Sequence, residues 1–449
     1  MGFVLAASGS AIGLGNLWKF PYITWNNGGG AFVLVYILCI AMIGLPIMMT
    51  EILIGRKTQR SAVGALKQAV GPAWGFVGGL GVLTGFIILG YYTVIAGWTL
   101  KYFWNCLGWS FFGFDAGASS GEAFTTFAGN GALQVGLSLA FMALTAIVVH
   151  RGISGGIERV TRLLMPVLFG ILLLLMVSAM SLKGAGEALS FIFKPDFSQL
   201  RAVGVLEALG HSFFTLSLGM GAMITYGSYL GRRDSVVRSS LVVVLLDTLI
   251  AMIATVIMFS VIFSFDMTDA VSKSTAGMLF ITLPTLFYEN VPFGTVLAPL
   301  FYVLVGFAAL TSTISLLEVV VSYFIDQRKW SRTRATWTCS AGIFLLSTLC
   351  GLSFGGWGVL SGFNWIHSKQ GLFDHLDHVA SNWLLPVGGF FITLAAGWGM
   401  TREATERELV SDNTPGWFHY PTWRFCIRYI APAAVAAIIV AVISGKDFS

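Results

Sequence analysis

Long apolar runs dominate the chain, separated by short polar or charged connections. Windows long enough to cross a bilayer fall near 2–24, 31–55, 74–105, 132–150, 157–181, 204–230, 236–265, 294–325, 334–354, 378–400 and 427–445. This predicts eleven helices, and in two of them the pattern falters. The first is apolar from Met1 to Ala7, reads Ser8-Gly9-Ser10-Ala11-Ile12-Gly13-Leu14-Gly15-Asn16, and resumes at Leu17-Trp18-Lys19-Phe20-Pro21. Glycines beside Ser10 and Asn16 disfavour an unbroken helix. The sixth reads His211-Ser212-Phe213-Phe214-Thr215-Leu216-Ser217-Leu218-Gly219-Met220-Gly221-Ala222, again small and polar at mid-depth. In hydrocarbon, unwound backbone persists only where protein or an ion satisfies its carbonyls. Two breaks therefore predict a binding site at the bilayer midplane, the mark of a secondary transporter. Glycine in membrane helices also serves close packing. Two clusters at matching positions argue for breaks.

The breaks lie five spans apart, and an odd repeat length forces opposite orientations of the two halves. We expect an all-α integral membrane fold with a 5+5 inverted repeat. Its units are 1–202 and 203–402, with a connection and an extra eleventh helix in 403–449. The N-terminal stretch reads as the first span and not as a cleavable signal peptide. Basic residues collect after the even-numbered spans: Arg56 to Lys67, Arg151 to Arg162, Arg232 to Arg238, Arg328 to Arg334, and Arg402 to Arg428. The opposite connections carry Asp115, Glu122, Asp266, Asp269, Glu289, Asp374 and Asp377. The positive-inside rule then places the N-terminus in the cytoplasm and the C-terminus outside.

Composition agrees with this organisation. The chain has 449 residues, 56% hydrophobic and 10% charged, far below the charged share of a soluble globule. Its net charge of +5 follows from the alternating loops and carries no hint of nucleic acid. Cys39, Cys106, Cys339, Cys350 and Cys426 stand singly, without metal-ligand spacing or a disulfide framework, and read as small hydrophobes. No His-Glu-x-x-His, Ser-His or paired-Asp constellation points to an enzyme.

The run Ser10 to Pro21, followed by Asn27-Gly28-Gly29-Gly30-Ala31-Phe32, resembles the neurotransmitter:sodium symporter family in its bacterial amino-acid branch. Phe213 to Gly219, Ala308-Ala309-Leu310-Thr311-Ser312 and the Tyr91-Tyr92 pair match it too, and the likeness covers essentially the whole chain. The resemblance implies two sodium sites. Site two would use carbonyls of Gly9, Ile12 and Ala308 with the hydroxyls of Thr311 and Ser312, neutral oxygens suited to a hard cation. Those hydroxyls have an alternative role in bonding their own helix backbone. Site one would use Ala11, Asn16, Thr215 and Asp247, completed by the substrate carboxylate, which couples ion to substrate.

Many relatives have Asn where this chain has Asp247, and the chloride-dependent ones bind an anion beside it. Another bacterial pattern places an acid one turn later, here Ala251. An intramembrane carboxylate is functional by default. Asp247 is expected to supply the negative charge that chloride supplies elsewhere, and to take a proton on the empty return step. A buried acid satisfied by a Ser or Thr is the plainer alternative.

For the substrate, the amides near Leu14 and Gly15 with the Tyr92 hydroxyl would receive a carboxylate. Carbonyls near Ser10, Ala11, Phe214 and Thr215, with Ser217, would receive an ammonium. Monoamine relatives have Asp where this chain has Gly13, so an α-amino acid is favoured over an amine. Ile88, Phe214, Met220, Ser312 and Leu316 would form an uncharged wall, which fits a neutral hydrophobic substrate, aliphatic or aromatic. Gly219-Met220-Gly221 resembles the run of relatives that accept large side chains.

Lys19 and Asp377 match the family's outer charge gate, where relatives usually have Arg. Phe214 and Tyr92 would lid the substrate beneath it. Tyr229, Glu318 and Asp326 match the inner gate, and the N-terminal Arg expected opposite Asp326 is not in this sequence. Gly156 and Pro166 match a hinge that opens water to site two, or form a plain proline kink. His211 stands where relatives have Gln, either as a satisfied histidine or as a pH sensor. The expectation is a chloride-independent sodium symporter, monomeric or weakly oligomeric, in the lipid of a bacterial inner membrane. Its rivals are a transporter of an amine or osmolyte and a non-transporting sensor.

Overall fold

The computed structural model describes residues 2–265, 278–289, 291–366, 369–410 and 413–447. Asp266 and Asp269 lie outside the described residues. Among the described residues nine helices are long and apolar enough to cross a membrane: Gly30–Thr58, Pro72–Phe112, Gly131–His150, Ile153–Met180, Val236–Ser264, Gly294–Arg328, Arg332–Leu352, Gly371–Gly399 and Tyr420–Ile443. The two remaining spans are interrupted. The first comprises Gly2–Ala11, a π-helical turn Gly15–Lys19 and Phe20–Asn26; the sixth comprises Ala202–Thr215 and Ala222–Gly227. Counted in chain order, these are the eleven expected spans.

Proline explains a recurring irregularity that the hydrophobic pattern does not foretell. The π-helical turns Gly15–Lys19, Ile40–Gly44, Met278–Thr282, Val379–Leu384 and Cys426–Ile430 each end two residues before a proline: Pro21, Pro46, Pro284, Pro386 and Pro432. Proline offers no N–H and its ring crowds the carbonyl one turn back, so a widened turn absorbs the clash. Pro166 sits inside the fifth span, whose helix continues unbroken to Met180, with Gly156 in a π-helical turn at its start. The segment expected to unwind is therefore helical here.

Two boundaries differ from expectation. The tenth helix starts at Gly371 and not near 378, so Asp374 and Asp377 occupy its first turns and not a loop. The eleventh starts at Tyr420 and not near 427, which puts Arg424 and Arg428 on the helix. In both, polar residues in the first turns depress the apolar average that marks a span. Short helices also fill connections that read only as loops: Ala62–Ala69, Gly121–Gly129, Ala185–Phe193 and Arg402–Leu409. Side-chain caps start two of them, Ser120 accepting from Ala123 N at 3.2 Å and Thr401 from Ala404 N at 3.3 Å.

The third and eighth spans pack along each other most extensively. Gly2–Ala11 lies against spans five, seven and eight, and Ala222–Gly227 against span two. Both breaks thus fall in the middle of the bundle. All five cysteines are buried and unpaired, packed as small apolar groups. Below, the ends bearing the arginine-rich connections are called the basic face, and the opposite ends the acidic face.

Candidate functional site

At the first break the helical ladder stops after Ile12, whose N–H still reaches Ser8 O at 2.7 Å. The next two amides turn to side chains. Gly13 N donates to Asn16 Oδ1 at 3.0 Å, and Leu14 N donates to Tyr92 Oη at 3.1 Å. At the second break Ser217, Gly219 and Gly221 take φ of +54°, +81° and +73°, left-handed values alternating along the chain. Only glycine fits at Gly219, where a Cβ would lie 2.3 Å from Leu385 O. Ser217 is held by its own hydroxyl, which donates to Ser10 O at 3.0 Å, while Ser10 Oγ donates to Ser217 Oγ at 3.3 Å. The two breaks are thereby joined directly to one another.

A residue outside the expected set completes the second break. Glu51, fully buried in the second span, accepts the Gly219 N–H at 2.7 Å. An unwound amide in hydrocarbon needs such a partner. An intramembrane acid inside the 31–55 window was a visible signal, of the same kind that singles out Asp247.

Asp247, also fully buried, lies between the breaks. Its carboxylate accepts from Asn16 Nδ2 at 2.7 Å and from Thr215 Oγ1 at 3.0 and 3.2 Å. It therefore has the Thr partner of the plainer alternative, but among the described residues it forms no ion pair. Nor, among the described residues, do three or more His, Cys, Asp or Glu side chains cluster as metal ligands. A cation here would be held by Asp247 with neutral oxygens, the donor set of a hard ion.

Of the residues expected at site two, Gly9 lies against Thr311, with Met165 of the fifth span beside them: a Cβ on Gly9 would be 3.2 Å from Thr311 Cβ and 3.5 Å from Met165 Sδ. Thr311 Oγ1 donates to Ala308 O at 3.0 Å and to Phe307 O at 3.1 Å, the backbone bonding open to it as a helix residue. Ile12, Ala308 and Ser312 are buried in the same core.

A void of about 30 Å³ lies at the breaks. Every residue expected at the substrate site lines it, from Ser10 and Ala11 to Ser312 and Leu316, and Gly13, Asn16 and Ser315 join them. The void holds one or two waters' worth of space. Above it, toward the acidic face, a vestibule of about 460 Å³ is lined by Lys19, Asp377, Glu207, Asp374, Lys369 and Asp447 among others. Leu14, Gly15, Tyr92 and Phe214 line both spaces and lie between them.

The expected outer gate residues share the vestibule without pairing. Lys19 makes no ion pair among the described residues; its ammonium stands 5.4 Å from the centre of the Phe214 ring. Asp377 accepts from Ser381 Oγ at 3.1 Å. On the basic face, Tyr229 donates to Glu318 Oε1 at 2.7 Å, and Arg332 grips both carboxylate oxygens at 2.8 and 2.9 Å. Asp326 stands apart from this group and is held by Ser61 Oγ at 2.9 Å and Gln327 Nε2 at 3.0 Å. Arg56 adds a second buried seal: it bonds the Glu408 carboxylate at 2.8 and 3.0 Å and the backbone carbonyls of Asp234 and Glu408. His211 is buried between Phe20 and Tyr36, with neither ring nitrogen hydrogen-bonded among the described residues.

Two broken spans joined at mid-depth, a void at their junction, an open vestibule on one face and a sealed opposite face define a multi-pass secondary transporter. More particularly, the profile of the sodium:neurotransmitter symporter family matches residues 1–112 and 122–447, and the chain belongs to that family. An uncharacterized sodium-dependent transporter of Bacillus subtilis (strain 168), YhdH, is 36% identical over all of this chain and 97% of its own length. Another, MJ1319 of Methanocaldococcus jannaschii, is 30% identical over 98% of this chain and 88% of its own. Among solved structures, MhsT in complex with L-phenylalanine superposes with a TM-score of 0.88 at 40% identity, covering 98% of each chain. The protein is thus a sodium-dependent membrane transporter of the leucine-transporter fold and not an enzyme.

Proposed function

We propose that this protein is a sodium-coupled, chloride-independent symporter of neutral, hydrophobic L-amino acids that works by alternating access. The observation that carries the reading is the mid-membrane void, walled by Ile88, Phe214, Met220 and Leu316, with a buried carboxylate behind Asn16 and Thr215 that forms no ion pair among the described residues. An apolar wall suits an uncharged side chain, and an unpaired buried anion calls for a cation. The bound amino acid of the MhsT structure agrees with this substrate class.

In this reading sodium site one is formed by Ala11, Asn16, Thr215 and Asp247 with the substrate carboxylate, and site two by Gly9, Ile12, Ala308, Thr311 and Ser312. Ser10, Ala11, Thr215 and Ser217 receive the ammonium; Leu14, Gly15 and Tyr92 receive the carboxylate. Because the void is small, binding has to move side chains, and flexible Met220 is the wall residue best able to give. An amine substrate is disfavoured because Gly13 stands where monoamine relatives carry Asp, so no acid at that position replaces the substrate's own carboxylate. The inverted halves are 1–202 and 203–402, with 403–449 added. The basic face is cytoplasmic in a bacterial inner membrane, as is the N-terminus, and the protein is monomeric or weakly oligomeric.

The energetics are adequate. Each charge crossing 100 mV gains about 2.3 kcal/mol, and a tenfold gradient adds about 1.4 kcal/mol per ion. Two sodium ions then supply roughly 7 kcal/mol, enough for about 10⁵-fold accumulation of a zwitterion.

The test is uptake of radiolabelled L-tryptophan and L-leucine into proteoliposomes under an inward sodium gradient. Accumulation is expected with sodium and not potassium, and unchanged when gluconate replaces chloride. Sodium dependence with neither substrate taken up would overturn the pocket reading, and loss of uptake in gluconate would overturn the role of Asp247. In Asp247→Asn, which removes the charge and keeps the shape, uptake should fall at least about tenfold in gluconate and recover in part with chloride.

A further inference from the structure

We propose that Asp447 is a positioning residue of the outer gate. It holds Lys369 aside so that Lys19 is the cation that meets Asp377. The inference rests on reading Lys19 and Asp377 as that gate.

Two lysines, Lys19 and Lys369, and four acids, Glu207, Asp374, Asp377 and Asp447, line the vestibule. One lysine is already engaged: Lys369 Nζ lies 2.9 Å from Asp447 Oδ2. The other oxygen of Asp447 is fixed from the tenth span, accepting from Asn382 Nδ2 at 2.7 Å with His378 Nδ1 at 3.3 Å. His378 directly follows Asp377, and Asn382 lies one turn further on. The segment after the eleventh helix thus returns to the rim of the vestibule and lodges its carboxylate on the helix that carries the gate acid.

The arrangement selects which lysine closes the gate. Lysine is a point charge on a flexible stem, and an ammonium released in a partly enclosed vestibule goes to the nearest carboxylate. Freed from Asp447, Lys369 would find Asp374 and Asp377 on the helix that begins at Gly371, only two residues beyond it. Such a pair is local. It joins the tenth span to its own preceding loop and draws nothing across the vestibule. Only Lys19, on the first span, can pull the two walls together through Asp377. The Lys369–Asp447 side chains are 16% and 29% exposed, so the pair is screened less than a surface pair.

The experiment compares Asp447→Asn, Lys369→Gln, the double variant and Lys19→Gln for sodium-driven L-tryptophan uptake in proteoliposomes. Asp447→Asn is expected to raise KM about fivefold with little change in kcat. Lys369→Gln should stay within about twofold of the unsubstituted protein, and the double variant should return there. An unchanged KM in Asp447→Asn overturns the proposal. So does a double variant as impaired as the single, since Asp447 would then merely anchor the chain after the eleventh helix. Lys19→Gln with normal KM brings down the gate reading itself, whatever Asp447 does. Asp447→Ser, which keeps an acceptor for Asn382 without the charge, carries the same test should Asp447→Asn fail to fold.

Discussion

On the basic face Glu318 is wholly buried and held by three donors from Tyr229 and Arg332, while on the acidic face Lys19 and Asp377 share a vestibule and form no ion pair among the described residues. The two ends of the pathway are built from different electrostatics. Removing one partner of a buried ion pair costs about 3–5 kcal/mol, because the other charge is left stranded. An exposed pair contributes about 0–1 kcal/mol. On the proposed gate assignment the basic face is held shut by its own ion pair, whereas Lys19 and Asp377 need help from whatever binds beneath them. That asymmetry suits a sodium symporter, whose outward opening should persist until ions and substrate arrive.

The sharpest way to break the comparison is to strand Glu318. In Arg332→Gln the carboxylate keeps Tyr229 and loses both guanidinium bonds. We expect the seal to loosen and sodium-driven uptake to fall at least about tenfold, well within the cost of a broken buried pair. A cysteine at Ser228, beside Tyr229 and buried in the sealed face, reports this in a background lacking the native cysteines. Its modification by a hydrophilic thiol reagent should be faster by about tenfold or more in Arg332→Gln, roughly the same factor as uptake is lost. Equal rates would show that the triad does not close the basic face.

A graded effect is expected midway between the faces, at Glu51. Its role is to accept the Gly219 N–H, so a neutral acceptor should serve nearly as well. Glu51→Gln should retain uptake within about threefold, whereas Glu51→Ala strands a buried amide at a cost of about 1–3 kcal/mol and should lose about tenfold or more. Thermal unfolding in detergent should follow the same order. If Gln is as damaging as Ala, the negative charge matters and the hydrogen bond alone does not explain the residue.

The sequence and the structure agree best where the signal is local. The breaks were legible because Gly13, Gly15, Gly219 and Gly221 interrupt apolar runs within a few residues. The residues expected around a substrate, most of them in or next to the motifs that carry the family likeness, were found to line one void. Pairing across the fold was harder. Glu318 and Tyr229 were grouped with Asp326, yet Asp326 bonds Ser61 and Gln327. Arg332, which bonds both oxygens of Glu318, read only as one more basic loop residue, because its place is set by a turn between the eighth and ninth spans. Glu51 carried the same signal as Asp247 but lacked a neighbouring motif. The short connecting helices and the shifted start of span ten were hidden by polarity, which lowers any average taken over a membrane-length window.

The mildest and most telling test sharpens the open face without closing it by force. The single ammonium of Lys19 rests 5.4 Å from the Phe214 ring centre and forms no ion pair with Asp377. A guanidinium adds a planar fork that can take both carboxylate oxygens and stack on the same ring. Lys19→Arg should therefore favour the closed gate by an amount typical of a good exposed pair, about 0.5–1 kcal/mol. That corresponds to an apparent substrate affinity about two- to fivefold tighter. The gain should shrink in part in high salt, since Lys19 and Asp377 are both only partly buried and some screening falls on the pair. Slower release on the acidic face should accompany it, lowering exchange of bound substrate more than net uptake. A tighter affinity that survives high salt in full would point to packing on Phe214 and not to pairing with Asp377. An unchanged affinity would mean that the outer gate closes through Tyr92 and Phe214 alone, and the contrast between a charge-sealed face and a charge-gated one would then be false.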